Sequence, residues 1–349
     1  MNDIKNHNKD SIERISNGME KENFESELPS KKDSSYAIPL SIVMAGAMLS
    51  IAFIYKVENN PAQTQVANNT SFENRTRQIS ADEEVVLPSG GVALPVIWGD
   101  LGSKLVSVGA IDADKFRALY DQREAFSYEY KNLLFGKTDG KLKITNENAG
   151  YLLNLFWALG LASKNPILES GEMTNPTYGG AGNFASTGGW TIARGDAMDH
   201  YSRHKFFNLT PKQQFLVDKV SRGIYRPCCG NSVHFPDCNH GMAMLGLLEL
   251  MAEQGASEQN MWDTALAVNS YWFPDIYMTI ATYMKSKGVP WRNVNPQEIL
   301  GIDFSSAQGF AKISAKVNTS TKSQNGDGCG VDTEQPHPTQ PKQQNDCGV

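Results

Sequence analysis

The chain has 349 residues, 40% of them hydrophobic and 20% charged, with a formal charge of −6. That composition excludes a wholly disordered protein. No basic stripe is present to neutralise phosphates, which excludes a nucleic-acid binder.

Residues 1–35 are polar, hold six Lys/Arg and eight Asp/Glu, and show no sustained apolar period, so a disordered arm is expected. Tyr36 to Tyr55 reads YAIPLSIVMAGAMLSIAFIY, twenty residues without a charge. At about 1.5 Å per residue such a helix spans about 30 Å, the hydrocarbon thickness of a bilayer. Its terminal tyrosines suit the two interfaces. Lys31 and Lys32 precede it and Lys56 follows, a weak bias that places the N-terminus in the cytoplasm and the rest outside the cell membrane. The expected topology is a single-pass signal anchor. Residues 56–84, rich in Asn, Gln, Thr and Ser, read as a stalk linker.

A mainly α domain is expected over 85–315. VVLPSGGVALPVIWG reads as loop or short strand. Asp112 suits the N-cap of a helix beginning DADKFRALY, and Asn146 that of ENAGYLLNLFWALGLASK, which is apolar all round and so buried. Thr210-Pro211 opens a third helix. NHGMAMLGLLELMAEQ is the core helix, too short to span a bilayer, with Gly255 at its end. Ser257 and Pro274 open two more, the last stopped by Gly288. From 316 to 349 apolar residues nearly vanish, which reads as a disordered tail. It carries Cys329 and Cys347, each followed by Gly-Val.

The densest chemistry is YRPCCGNSVHFPDCNHG, residues 225–241. Cys228, Cys229, Cys238 and His240 form a Cys₃His set, a complement suited to zinc and acceptable to Cu(I). Asp237 or Asn239 should cap the core helix, leaving Cys238 and His240 at its N-terminus. There the dipole favours a thiolate. The spacing is not the paired C-x₂-C of ribbon-type zinc sites, and adjacent cysteines form only a strained disulfide. Metal binding, thiol exchange with Cys229 and Cys238 as the catalytic pair, and a structural bridge between loop cysteines all remain open. His234 reads as an exposed loop residue.

The run QFLVDKVSRGIYRPCCGNSVHFPDCN, a helix, and then GASEQNMWDTALAVNSYWFP resembles the N-terminal domain of CcmH-type cytochrome c maturation proteins. About 75 residues are covered, within 210–285. The resemblance implies a membrane-anchored, extracytoplasmic helical bundle that handles the thiols of apocytochrome c. Cys229 matches the family's second cysteine, Asn231 its Asn, Asp237 and Asn239 the residues opening the next helix, and Gly255 and Ser257 the later Gly and Ser. Arg226 stands where the first cysteine belongs, Cys238 replaces a Ser, and His240 is an addition.

Other constellations are weaker. Asp196, His200 and His204 share a helical face only if RGDAMDHYSRHKFF is helical, and a solvated face is the expectation. Gly180-Ala-Gly182-Asn-Phe-Ala185 matches a degenerate dinucleotide fingerprint but follows no strand. The glycine-rich stretch YGGAGNFASTGGW is a candidate cover for the cysteine loop. The leading expectation is binding or trafficking of copper or zinc, with the tail thiols exchanging the ion with a partner protein. A flexible tail reaching Cys347 would extend roughly 30 Å. The alternatives are a CcmH-like thiol–disulfide oxidoreductase and a membrane-tethered scaffold with structural cysteines.

Overall fold

The computed structural model describes residues 81–121 and 127–323. The predicted arm, the span Tyr36–Tyr55, nearly all of the stalk and both tail cysteines lie outside them. Among the described residues no helix is long and apolar enough to cross a membrane.

Strand β1 (Val92–Gly99) pairs antiparallel with β2 (Thr138–Ile144). Leu94, Val96 and Trp98 alternate inward along β1, as a half-buried strand requires. Helices α1 (Leu101–Val108), α2 (Ala113–Asp121) and α3 (Tyr128–Phe135) lie between the strands in sequence. Asp112 caps α2 as expected, its Oδ1 accepting from the N–H groups of Asp114 and Lys115. Ser127 caps α3 by accepting from Tyr130 N–H. The helical run expected beyond Asp112 therefore contains two helices.

The centre of the fold is helix α4 (Ala149–Ala162) crossed by helix α7 (Asn239–Glu253). Nearly every residue of both is buried, as their all-round apolar sequence demands. The position before α4 is Asn148, not Asn146. Asn148 ties the helix to the end of β2, accepting from Thr145 N–H and donating to Lys143 O, both at 2.8 Å. The two core helices meet backbone to backbone. A Cβ on Gly246 would stand 2.6 Å from Gly160 N and from Phe156 O, and one on Gly160 would stand 2.0 Å from Met242 O. Gly246→Val should therefore destabilise the fold by about 3 kcal/mol, since an overpacked core has nowhere to move. Thermal unfolding should show the midpoint falling by about 6–12 °C.

Around this pair stand α5 (Pro166–Ser170), α6 (Pro211–Gly223), α8 (Glu258–Trp272), α9 (Pro274–Ser286), α10 (Pro296–Ile299), α11 (Ile302–Ser305) and α12 (Ala307–Ser323). Thr210 and Gln213 close a reciprocal capping box on α6. Ser257 caps α8, Pro274 opens α9, and Gly255 and Gly288 follow α7 and α9 with positive φ. Helix α12 runs past the predicted domain boundary at 315.

One acidic side chain lies inside the core among the described residues. Glu249 of α7 is 1% exposed, and Ser163, just past α4, donates its hydroxyl to Oε2. Burial pushes this carboxyl up to about 8, against the pull of Ser163 and Asn165.

Candidate metal centre

The loop between α6 and α7 is held from three sides. Tyr225 forms an antiparallel bridge with Ser232, and Val233 N–H donates to Ile224 O at 2.8 Å, closing the loop at its base. The first residue of α12 straps it, Ala307 N–H donating to Cys229 O at 3.0 Å. The glycine-rich stretch covers the third side. Tyr178 and Phe184 pack their rings on Phe235, and Ser186 N–H donates to Asp237 O at 3.1 Å.

Arg226 organises the interior of this loop. It is fully buried, and each of its three nitrogens is used. Nε donates to Cys238 Sγ at 3.4 Å, Nη1 to Asn231 O at 3.0 Å, and Nη2 to Asp237 Oδ1 at 2.7 Å and Phe235 O at 3.3 Å. Asn231 holds the other Asp237 oxygen at 2.7 Å. Gly241 is required here, because a Cβ would lie 2.6 Å from the guanidinium carbon. Replacing Arg226 by Met should cost about 3–5 kcal/mol, because Asp237 is then left buried without its counter-charge. Denaturant unfolding of the variant measures this.

Three sulfurs converge above the guanidinium. Cys228 is exposed, Cys229 half-buried and Cys238 buried, and all three Sγ atoms lie within 4.8 Å of one another. Cys228 and Cys238 touch at 3.4 Å. Zinc–sulfur bonds of about 2.3 Å place the sulfurs of a tetrahedral site about 3.8 Å apart, so the trio already has the spread one ion requires. This cluster can hold a metal ion.

The helix cap is a correction to the sequence reading. Cys238 itself, rather than Asp237 or Asn239, is the N-cap of α7, its Sγ accepting from Gly241 N–H at 3.4 Å. Its thiol is held well below the ordinary cysteine value. Its contacts with Cys228 and Cys229 lower it most, and the Arg226 charge and His240 add to the effect, against the opposing pull of burial. Its two neighbours move the other way. Cys228 is raised by its contacts with Cys229 and Cys238 and by burial. In Cys229 the contact with Cys228 lowers the thiol, but the contact with Cys238 and burial outweigh it and push it up to about 11. Cys238 is thus the sulfur of the three whose deprotonation is most favoured, beside a guanidinium, and the thiolate is the form that binds metal. Burial raises the Asp237 carboxyl despite its partner Arg226.

His240 is not one of the converging group, so the expected Cys₃His set is reduced to Cys₃. With Cys238 as the cap, His240 falls in the first turn of α7 and packs its ring on Phe273 and Trp272, with centroids 4.4 and 5.7 Å away. It still lies close enough to Cys238 to act on its thiol, and its Nδ1 is buried without a hydrogen-bond partner.

The other histidines differ from expectation. His234 is buried, not exposed, with Nδ1 2.9 Å from Glu172 Oε2 and Nε2 2.8 Å from Asp218 Oδ1. Arg222, and then His234, hold the Asp218 carboxyl below its usual range. Asp196, His200 and His204 share no helical face, because only a short 3₁₀ turn forms there. Asp196 caps that turn. His200 contacts His204 at 3.2 Å and Arg194 O at 2.9 Å. Gly180 to Ala185 lies among 3₁₀ turns with no strand before it.

Sequence reasoning treated Arg226 only as a missing cysteine. Its signal was an arginine between helix α6 and a pair of cysteines, with Asp237 as the nearest acid in the same loop. Comparison of the chain with known protein families, with characterised proteins and with solved structures gives no match.

Proposed function

We propose that the protein binds and passes on a soft metal ion, Cu(I) or Zn²⁺, through Cys228, Cys229 and Cys238. The convergence of three sulfurs within 4.8 Å, at the head of a buried helix, carries this reading. Thiolate-rich sets select these ions over hard ones. Arg226 offsets part of the charge that three thiolates would accumulate. His240 stands outside the converging trio, and its buried Nδ1, free of a hydrogen-bond partner, would have to turn toward the sulfurs to complete a fourth ligand position. In this reading the domain stands outside the cell membrane on the Tyr36–Tyr55 anchor, and Cys329 and Cys347 exchange the ion with a partner protein.

Elemental analysis after reconstitution under reducing conditions tests the reading. One equivalent of Cu(I) or Zn²⁺ per chain is expected, and less than about a tenth of an equivalent would end it.

The 3.4 Å contact between Cys228 and Cys238 favours a second reading, thiol–disulfide exchange, which the resemblance to CcmH-type proteins also suggests. A mixed disulfide trapped with a partner in a single-cysteine variant, together with no ion uptake, would decide for it.

A further inference from the structure

Glu249 belongs to no part of the sulfur site. Its side chain contributes to the inner wall of a cleft of about 450 Å³, whose rim carries Lys164 and Lys205. Glu249 sits with two other polar groups in an otherwise apolar interior behind that wall: Ser163, Asn165 and Glu249 are each 1% exposed. Their bonds nearly close on themselves. Ser163 serves Glu249 Oε2, while the amides of Asn165 and Gln214 bind each other reciprocally at 3.3 and 3.1 Å. Glu249 Oε1 is left buried without a hydrogen-bond partner.

An unmet carboxylate oxygen in such a place is costly, and a donor entering from the cleft removes the cost. A cationic donor does so best, since it also supplies the counter-charge that a desolvated carboxylate lacks. The rim carries two cations and one acid, Lys164, Lys205 and Glu169. Lys164 is engaged by Glu169 at 3.5 Å, whereas Lys205 stands exposed over the cleft. Phe207 and Leu209 add apolar wall between the charged groups. A buried acid and a rim cation lining one small cleft match a molecule that carries both charges.

We propose that this cleft binds a small zwitterion of the amino-acid class, with its ammonium on Glu249 and its carboxylate on Lys205. The site is separate from the ion-binding reading and does not depend on it. In the empty cleft, burial holds the carboxyl protonated at neutral pH, and an arriving ammonium stabilises the charged form.

The test is calorimetric titration of the full chain with glycine, L-alanine and L-lysine, using ethylamine and acetate as single-charge controls. At least one amino acid should bind with a Kd below about 1 mM, and both controls should bind at least about tenfold more weakly. Glu249→Gln should weaken that amino acid by at least about tenfold, and Lys205→Met by about threefold or more. Absence of binding by all three amino acids at concentrations on the order of 10 mM would overturn the proposal. Undiminished binding by Glu249→Gln would overturn it as well. Should Glu249→Gln fail to fold, Lys205→Met and the two controls decide: loss in all three supports the zwitterion site, and retention in any of them removes it.

Discussion

Cys238→Ser should abolish tight ion binding while leaving the fold standing. The hydroxyl of Ser is a good helix cap and can still accept from Gly241 N–H, so the stability change should stay near 1 kcal/mol. Arg226 keeps Asp237 as its counter-charge. The ion loses its best ligand, the buried sulfur whose thiol is held well below the ordinary cysteine value. Changes that merely support a ligand cost about 10–100-fold in affinity, so loss of this sulfur should exceed about 100-fold. Competition against a coloured chelator measures it. The control is Cys238→Ala, which removes both cap and ligand and should lose stability as well as affinity. A Cys238→Ser variant that competes as well as wild type would show that the ion is held elsewhere.

The contribution of Glu249 to the stability of the protein should fall as pH rises from about 4.5 to about 8. Its folded value is raised from 4.5 to about 8, so over that interval the folded state carries a proton that the unfolded chain has lost. The unfolded state therefore binds fewer protons and the slope of unfolding free energy against pH is negative. The contribution is complete below the unfolded value and gone above the folded one. Over the whole interval the shift corresponds to about 5 kcal/mol. Asp218, whose carboxyl is held low, works in the opposite sense and only in acid, losing its contribution as pH falls through its folded value. Glu249→Gln keeps the shape and removes the titration. Unfolding free energies from urea titrations at pH 5, 7 and 9 should converge with wild type in acid and exceed it in base by several kcal/mol. Parallel pH profiles for the two proteins would show that Glu249 is not the group responsible.

The helices were largely legible because their signals are local. Thr210-Pro211, Ser257 and Pro274 state where a helix starts irrespective of what packs on it. The all-round apolar sequences of α4 and α7 state that both are central. Their pairing was not legible, since Gly160 and Gly246 become a close crossing only when two distant segments meet. Strand β2 was missed for a related reason. TDGKLKI is mostly exposed and holds only Leu142 and Ile144 inward, so its register is set by β1 rather than by its own pattern. In the site, spacing alone gathered the three cysteines. It misplaced His240, because the side on which a first-turn residue falls depends on which neighbour is the cap. It misjudged His234, whose burial depends on Glu172 and Asp218 from two other segments. Arg226 was invisible as a functional residue because its partners arrive through a folded loop, although most lie within twelve residues.

The three sulfurs differ in how firmly the chain holds them. Cys238 heads a helix that is buried along its length, Cys229 is tethered through its carbonyl to the start of α12, and Cys228 faces solvent. An ion seated among them would have an anchored end and a loose end. Departure would begin at Cys228, where an incoming thiol can displace one sulfur while the other two keep their grip. On the proposed reading, such an asymmetric mooring would let cargo change hands one bond at a time, without the ion being released bare into water.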